Sequence, residues 1–153
     1  MKNKLKNGKD YIGVGVGAVI FNNEGEVLII RRGKNSQNEI GYWGIPGGAV
    51  EFGEKLSDAI KREVSEELGI KIKPLKILSP VDHILSAEKQ HWVTASFVSK
   101  LTQGEPKAIE DGKIDRIEWM TIDKAVQLKK ISPAAKNALV EFKEKYNELS
   151  DFF

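Results

Sequence analysis

The sequence contains no cysteine and only two histidines, His83 and His91. Without cysteine the chain can form neither a disulfide bond nor a thiolate metal site, and it has no thiolate nucleophile. Two histidines are also too few for a metal site built mainly from imidazole groups. Any metal ion must therefore be bound mainly by oxygen atoms, which favours Mg²⁺ or Mn²⁺.

The sequence also lacks a long apolar run and a strong excess of charge. No run of 18 apolar residues occurs, so no membrane-spanning helix is predicted, and the glycine-interrupted stretch 11–21 has no signal-peptide layout. The 24 basic and 22 acidic residues leave a formal net charge of +2. This balance does not indicate polymeric nucleic acid as a partner. We therefore expect a cytoplasmic protein with no membrane partner.

The length of 153 residues fits one domain, which can bury roughly two-thirds of the surface of its unfolded chain. Residues 1–10 are polar and carry four lysines, so we interpret them as a flexible, solvated tail. No repeat or linker interrupts the rest, and residues 11–153 are predicted to form a single domain.

Apolar patterning predicts both strands and helices in an order typical of one α/β domain, with a mixed sheet covered on both faces. Ser57 is the predicted N-cap of a helix that Gly69 ends. Short apolar runs between residues 70 and 82 are broken by two prolines and are left without an assignment. The predicted strands are 11–21, 27–32, 91–101 and 114–120, and the predicted helices are 57–68 and 132–146.

The helix 57–68 has an acidic face beside its apolar stripe. At 100° per residue, Glu63, Glu66 and Glu67 project from one side, with Arg62 beside them. Like charges at this spacing repel by about 0.2–0.5 kcal/mol per pair. A divalent cation bound by several carboxylates would turn that repulsion into attraction. A solvated acidic face is the simpler interpretation of the three glutamates by themselves.

A glycine pair and a further carboxylate precede this helix. Gly47 and Gly48 have no side chain to keep a phosphate away from the backbone. A plain tight turn is the alternative explanation for the pair. Glu54 then follows in the loop that leads to the helix.

The segment from Gly48 to Ile70 resembles the Nudix box, G-x5-E-x7-R-E-U-x-E-E-x-G-U, in which U is a bulky aliphatic residue. Every defined position of the pattern is matched. The resemblance extends over roughly residues 11–125, with a Val/Gly-rich first strand before the box and the pair Glu118-Trp119 on a late strand. The matching positions are Gly48, Glu54, Arg62, Glu63, Val64, Glu66, Glu67, Gly69 and Ile70.

The resemblance implies an α/β/α sandwich in which the box forms a loop, a helix and a second loop. It also implies Mg²⁺-dependent hydrolysis of a nucleoside diphosphate linked to another group, with Mn²⁺ able to substitute. Carried onto this chain, Glu63 and Glu67 are metal ligands, and Glu66 is a further ligand or positions the attacking water. The Gly48 carbonyl completes the metal site, while the catalytic supports Arg62 and Glu54 orient the carboxylates.

Residues outside the box are candidates for the general base and for substrate binding. Glu110, Asp111 and Asp115 are the candidate bases, although each also suits a solvated acidic loop. Trp92 is the main candidate for stacking on a base, together with Trp43, Phe52 and Tyr42, although most large aromatic residues belong to the core. The predicted substrate-binding residues are Gly47, Trp92, Glu110 and Asp115.

The strand motif Val14–Gly17 and the loop motif Phe52-Gly53-Glu54 resemble the MutT-like subgroup of the family. They imply that the substrate is a nucleoside triphosphate, cleaved to a monophosphate and pyrophosphate. ADP-ribose, dinucleotides and nucleotide sugars remain alternatives, as does a non-catalytic nucleotide-binding module. A Ca²⁺-binding domain is disfavoured because no alternating Asp/Asn loop is present. The expected partner is a small nucleotide, and a homodimer is left open.

Overall fold

The computed structural model describes residues 4–146, so residues 1–3 of the predicted tail and residues 147–153 of the predicted domain lie outside the described residues. Eight strands and three α-helices follow one another in this range. They are β1 (Gly13–Phe21), β2 (Val27–Arg32), β3 (Trp43–Gly44), β4 (Gly47–Ala49), α1 (Leu56–Leu68), β5 (Lys71–Ile77), β6 (Val81–Leu85), β7 (Gln90–Gln103), β8 (Ile114–Met120), α2 (Ile122–Val126) and α3 (Pro133–Lys145).

The strands form one mixed sheet. Its central order is β3-β2-β1-β7-β5, while β4 pairs with β1, β6 with β7 and β8 with β2. β1 and β7 run parallel from Gly13↔Trp92 to Phe21↔Lys100, and the other pairs are antiparallel. The predicted hairpin of β1 and β2 is present, but the two strands pair only at Phe21↔Val27. β4 replaces β2 beside the first half of β1.

Both faces of the sheet are covered, as the fold-class prediction requires. In β1, Val16 and Ala18 pack with α1, whereas Val19 and Phe21 pack on the opposite face with α2 and α3. Because both faces of β1 are buried, its sequence reads as a continuous apolar run rather than an alternating one. The predicted α/β class with a mixed sheet is confirmed.

The box helix begins at Leu56, and its N-cap lies two residues before the predicted cap, Ser57. Lys55 is the N-cap, no side chain caps the helix, and Ser57 lies within its first turn. The first turn is instead closed by the Ala59 amide, which donates to the Lys55 carbonyl at 2.9 Å. At the other end Gly69 adopts φ 67°, so its predicted role as the helix stop is confirmed. α3 likewise follows its predicted start at Ser132 and Pro133.

Four strands and a short helix, namely β3, β4, β5, β6 and α2, were not predicted from the sequence. β5 contains Pro74, which suggested a break, but β5 is an edge strand whose register shifts just after this proline. A proline is tolerated there because no ladder hydrogen bond needs its amide. β6 follows directly after Pro80, and α2 has only five residues, which is too short for a helical period to show.

Part of the predicted tail contacts the sheet. The Gly8 amide donates to the Tyr11 carbonyl at 2.9 Å, and the His91 amide donates to the Gly8 carbonyl at 2.8 Å. A side chain at Gly8 would overlap the ring of Trp92. Within residues 4–146, no helix is both long enough and apolar enough to span a bilayer.

Candidate active site

Helix α1 presents its glutamates at the edge of the side that packs on the sheet. Ala59, Ile60, Val64 and Leu68 are fully buried beneath it. Next to this stripe the Glu63 side chain is only 14% exposed, whereas the Glu66 side chain is 54% exposed. The acidic face predicted from the sequence is therefore partly removed from water rather than fully solvated.

Arg62 is the centre of a hydrogen-bond network. Its Nε and Nη2 donate to the two Glu54 carboxylate oxygens at 2.7 and 2.9 Å. Its Nη1 donates to Glu63 at 3.0 Å and to Glu66 at 3.2 Å, and its Nη2 also donates to the Ala49 carbonyl at 3.0 Å. The planar guanidinium therefore joins the loop, the strand β4 and the helix at one point.

This network fixes charge as well as position. The hydrogen bond from Arg62 holds the pKa of Glu54 below its usual value, so Glu54 stays ionised. In return, the hydrogen bond to Glu54 raises the pKa of Arg62. The bidentate geometry of this pair limits the rotation of both side chains, which suits a supporting role beside the reacting groups.

Glu63 and Glu67 are two close carboxyl groups that are partly removed from water and repel each other when both are ionised. The pKa of Glu67 is raised to about 8, mainly by burial and in addition by the nearby Glu63 carboxylate and the charge of Glu110. Burial also raises the pKa of Glu63, although Arg62 opposes that shift. The two side chains share a hydrogen bond in this arrangement. A cation between them would satisfy both without a shared proton.

The glycine pair allows strand β4 to lie directly against this cluster. A side chain at Gly48 would overlap the Glu63 carboxylate, and a side chain at Gly47 would overlap the backbone of β1 at Val16. The two glycines are therefore required by close packing, which the tight-turn interpretation did not include. As a result, backbone carbonyl groups lie within reach of the glutamates.

The pairing of β4 with β1 determines the direction of each backbone carbonyl group in β4. The Val50 amide donates to Val14, and the Ala18 amide donates to Pro46. Because hydrogen-bonded pairs alternate along an antiparallel ladder, the Gly48 carbonyl is directed toward β1. The Gly47 carbonyl points to the opposite side, like that of Ala49, which accepts from Arg62. The sequence interpretation had favoured Gly48 as the metal-binding carbonyl.

The donor atoms at this site suit a hard divalent cation, because they are oxygens with a concentrated negative charge. Within residues 4–146 no three acidic or histidine side chains already surround one common point. The contacts of Arg62 explain this, since its Nη1 holds both Glu63 and Glu66. The Glu63 and Glu66 carboxylates are therefore bound to the Arg62 guanidinium rather than arranged around one point.

The candidate general bases Glu110 and Asp115 differ in their position relative to Glu63 and Glu67. The loop of Glu110 joins the end of α1, because the Ile109 amide donates to the Glu67 carbonyl at 3.1 Å. The charge of Glu110 raises the pKa of both Glu63 and Glu67. Asp115 instead forms an ion pair with Arg31 at 2.7 Å. Glu110 is thus brought to the cluster, while Asp115 is held by another partner.

The aromatic candidates are also separated from one another. The ring of Trp92 packs against Gly8 and Gly13, and its Nε1 donates to Gln90 at 2.9 Å. Trp43 packs against the core on the α3 side, and the guanidinium groups of Arg31 and Arg116 lie 5.6 and 5.7 Å from its ring. Phe52 is fully exposed and Tyr42 is partly exposed.

One buried ionisable pair was missed by sequence reasoning. Glu39, which is 7% exposed, lies with its Oε1 3.1 Å from His83 Nε2. Glu39 lies in the polar loop 33–42 and has a positive φ of 48°. No local pattern identifies it, because its burial depends on contacts with residues more than forty positions away.

The raised pKa of Glu67 predicts how stability depends on pH. The pKa of Glu67 is 4.5 in the unfolded chain and about 8 in the folded protein. The protonated carboxyl group therefore favours the folded state fully below pH 4.5, and this contribution to stability is lost as pH rises through about 8. In EDTA we therefore expect Glu67→Gln to be increasingly more stable than the unmodified chain as pH rises from about 5 to 8.5. Thermal unfolding followed by circular dichroism measures this difference.

The exposed Glu144 on α3 provides a matched control, since Glu144→Gln neutralises a carboxylate far from the cluster. Its stability difference from the unmodified chain should stay constant over the same range of pH. A pH-independent difference for Glu67→Gln would contradict the assignment of Glu67 as a desolvated carboxylate.

Comparison with known proteins extends the local match to the whole fold. The sequence model of the NUDIX domain matches residues 12–142. In overall structure the chain is similar to a MutT NUDIX hydrolase from Burkholderia pseudomallei, with a TM-score of 0.76 and 34% identity. That alignment covers 86% of this chain and 98% of the other.

Two curated relatives differ in the substrates for which they are named. The chain is 32% identical over 103 residues to the 8-oxo-dGDP phosphatase of Danio rerio, covering 67% of this chain and 30% of that protein. It is 31% identical over 94 residues to the ADP-ribose pyrophosphatase of Methanocaldococcus jannaschii, covering 61% of this chain and 54% of that protein. The alignments thus span 30% and 54% of the length of these two relatives.

The domain match includes the strand β1, the glycine pair, the glutamate helix and the loop of Glu110. It therefore takes in the Gly48-to-Ile70 pattern together with the sheet that holds this pattern in place. On this basis the chain belongs to the Nudix family.

Proposed function

We propose that the chain hydrolyses a phosphoanhydride bond in a nucleoside diphosphate linked to another group, with Mg²⁺ as its cofactor and Mn²⁺ as a substitute. The observation that carries this proposal is the buried Glu63–Glu67 pair beside the glycine pair. Two carboxylates forced together out of water cost stability unless a cation joins them. Such an arrangement is expected where the folded protein binds a divalent ion and a phosphate together.

Glu63 and Glu67 would hold the metal ion, with Glu66 as a further ligand or as the group that orients water. The Gly47 carbonyl, which is turned away from β1, is the better backbone ligand than that of Gly48. When bound, the ion neutralises phosphate charge and lowers the pKa of a coordinated water. No covalent nucleophile from the protein is required.

The protein's own residues supply orientation. Arg62 restrains the Glu63 and Glu66 carboxylates through charge-assisted hydrogen bonds, and the ionised Glu54 holds the guanidinium in its plane. Gly47 and Gly48 allow β4 to lie directly against β1 and the Glu63 carboxylate, which holds the β4 backbone beside the acidic cluster. Glu110 lies close enough to influence both buried glutamates, and we propose it as the general base in preference to Asp115.

The substrate that we propose is a nucleoside triphosphate, cleaved to a monophosphate and pyrophosphate. The similarity to a MutT hydrolase supports this class, while the relative named for 8-oxo-dGDP supports a nucleotide substrate but is named for a diphosphate. ADP-ribose, dinucleotides and nucleotide sugars are the alternative class, supported by the relative named for ADP-ribose. We further propose that residues 11–153 act as one domain in the cytoplasm.

The test is a panel of substrates assayed with Mg²⁺, with products identified by mass. We expect kcat/KM for the best nucleoside triphosphate to exceed that for ADP-ribose, NADH and nucleotide sugars by at least about tenfold, since a specific site rejects ligands that leave its polar groups unpaired. Monophosphate and pyrophosphate should appear in equal amounts. Glu67→Gln protein, purified in parallel, controls for a contaminating phosphatase.

A preference of the same size for ADP-ribose would contradict the triphosphate proposal and favour the alternative class. Binding of nucleotides without any turnover, under all metal conditions, would contradict hydrolysis itself and favour a nucleotide-binding module.

A further inference from the structure

Strand β8 forms one edge of the sheet, and no strand lies against its outer side. It pairs with β2, and no second strand among residues 4–146 pairs with it. The opposite edge, formed by β5 and β6, carries Pro74 and the exposed lysines Lys71 and Lys73. Proline and lysine on an edge strand discourage pairing with another chain. β8 contains neither residue type, so its edge is open to a further strand.

The hydrogen bonds of β2 determine which backbone groups of β8 point outward. On the side away from β8, the Arg32 amide donates to the Tyr42 carbonyl at 2.9 Å. Hydrogen-bonding directions alternate along a strand, so Arg31 faces β8 and forms a hydrogen-bonded pair with Arg116. The amide and carbonyl of Ile117, one residue further along β8, therefore point away from β2.

The outward backbone groups of β8 have no partner in the described part of the chain. The same alternation directs the amide and carbonyl of Trp119 outward, and no segment among residues 4–146 forms a hydrogen bond with these groups of Ile117 or Trp119. A strand edge with unpaired donors and acceptors is a template for a strand of another molecule. Two copies of β8 satisfy each other's groups if they run antiparallel about a two-fold axis at Ile117.

The sequence of β8 is complementary to itself in that register. When Ile117 lies opposite Ile117 of a second copy, the two residues form a hydrogen-bonded pair and exchange both backbone hydrogen bonds. Arg116 then lies directly opposite Glu118 of the second copy, and Glu118 lies opposite Arg116 of that copy. In the single chain these two side chains already form an ion pair on one face of β8 and remain partly exposed. Opposite charges across an antiparallel pair are favourable, whereas like charges are unfavourable.

Apolar side chains on the other face of β8 add to this edge. Ile117 and Trp119 pack against the core cluster beneath α1, and both remain partly exposed. The two-fold arrangement brings Ile117 next to its counterpart, which removes more apolar surface from water. A register shift near Ile114 limits regular pairing to the rest of β8. An interface of this size is at the small end of specific interfaces, so the expected dimer is a transient one.

We propose that β8 is an interaction surface for a second copy of this chain, which pairs with it antiparallel about a two-fold axis at Ile117 and joins the two sheets into one. Backbone hydrogen bonds and the contact between the Ile117 side chains supply the affinity. Exposed ion pairs contribute little by themselves, so the two reciprocal pairs of Arg116 with Glu118 act mainly by excluding other registers. This inference does not depend on the proposed hydrolysis.

Charge reversal tests this register. Arg116→Glu and Glu118→Arg each place like charges opposite one another at both contacts of the dimer. By sedimentation velocity at micromolar concentrations, we expect the unmodified chain to dimerise and each variant alone to have a Kd raised by roughly tenfold or more. When the two variants are mixed in equal amounts, opposite charges face each other again at both contacts. The mixture should therefore form a heterodimer with a Kd close to that of the unmodified chain.

Recovery in the mixture separates a surface effect from a folding defect, because a misfolded variant would not be rescued by its complement. Lys71→Glu is the matched control, since it reverses one charge on the exposed edge strand β5, and it should dimerise like the unmodified chain. A monomeric unmodified chain at all concentrations tested would overturn the proposal. It would also be overturned by a dimer that both reversals leave unchanged, by a loss of dimer in Lys71→Glu, or by folded variants that do not associate when mixed.

Discussion

Glu67→Gln should lower kcat by on the order of 10² or more while leaving the fold intact. Glutamine keeps the shape of the side chain but removes the charge that binds the cation. The pKa of Glu67 is raised to about 8, mainly by burial, so this carboxylate gains more than an exposed one from a cation that neutralises its charge. The measurement is steady-state hydrolysis of the best substrate over a range of Mg²⁺ concentrations.

The same experiment contains its own controls. Glu144→Gln on α3 removes a surface carboxylate and should leave kcat unchanged, and EDTA should abolish the activity of the unmodified chain. Full activity in EDTA, or in the double variant Glu63→Gln/Glu67→Gln, would show that these glutamates do not hold a catalytic metal ion.

Leu68→Ala should reduce the free energy of unfolding by about 3 kcal/mol. Leu68 is fully buried at the end of α1, in the core cluster that includes Ile60 and Val64. Shortening it removes apolar contacts and leaves a cavity that the packed sheet cannot fill. Urea unfolding of the metal-free protein, followed by fluorescence, measures the change.

Glu66→Gln is the matched change on the exposed side of the same helix. The Glu66 side chain is 54% exposed and makes one hydrogen bond to Arg62, so its ion pair contributes little in water. Neutralising it also removes repulsion from the neighbouring glutamates. We expect unchanged or slightly higher stability without metal, and a large loss would show that the acidic face has a structural role.

The box helix could be predicted from the sequence because its determinants are local. The spacing of Ile60, Val64 and Leu68 defines the buried stripe, and this stripe in turn defines which side carries the glutamates. Gly69 ends the helix because it adopts a left-handed conformation that favours glycine. Only the N-cap was wrong, since a backbone hydrogen bond to Lys55 replaced the expected serine cap.

The sequence by itself thus determined the class of fold and the helix that carries the carboxylates, and it predicts that any metal ion is bound mainly by oxygen. These features depend on residue type and on the spacing of residues that are close together in the sequence. Strands 27–32 and 114–120 were also predicted with their observed bounds, because each has an apolar pattern bounded by polar turns.

Only the tertiary structure decided how distant segments meet. The register of β4 on β1 turns the Gly48 carbonyl toward β1 and the Gly47 carbonyl away from it. Ion pairing with Arg31 holds Asp115, while the docking of its loop on α1 brings Glu110 to the cluster. Glu39 is buried against His83 by contacts across the sheet. Strand register and burial arise from long-range packing, and the residues that they bring together leave no periodic signal in the chain.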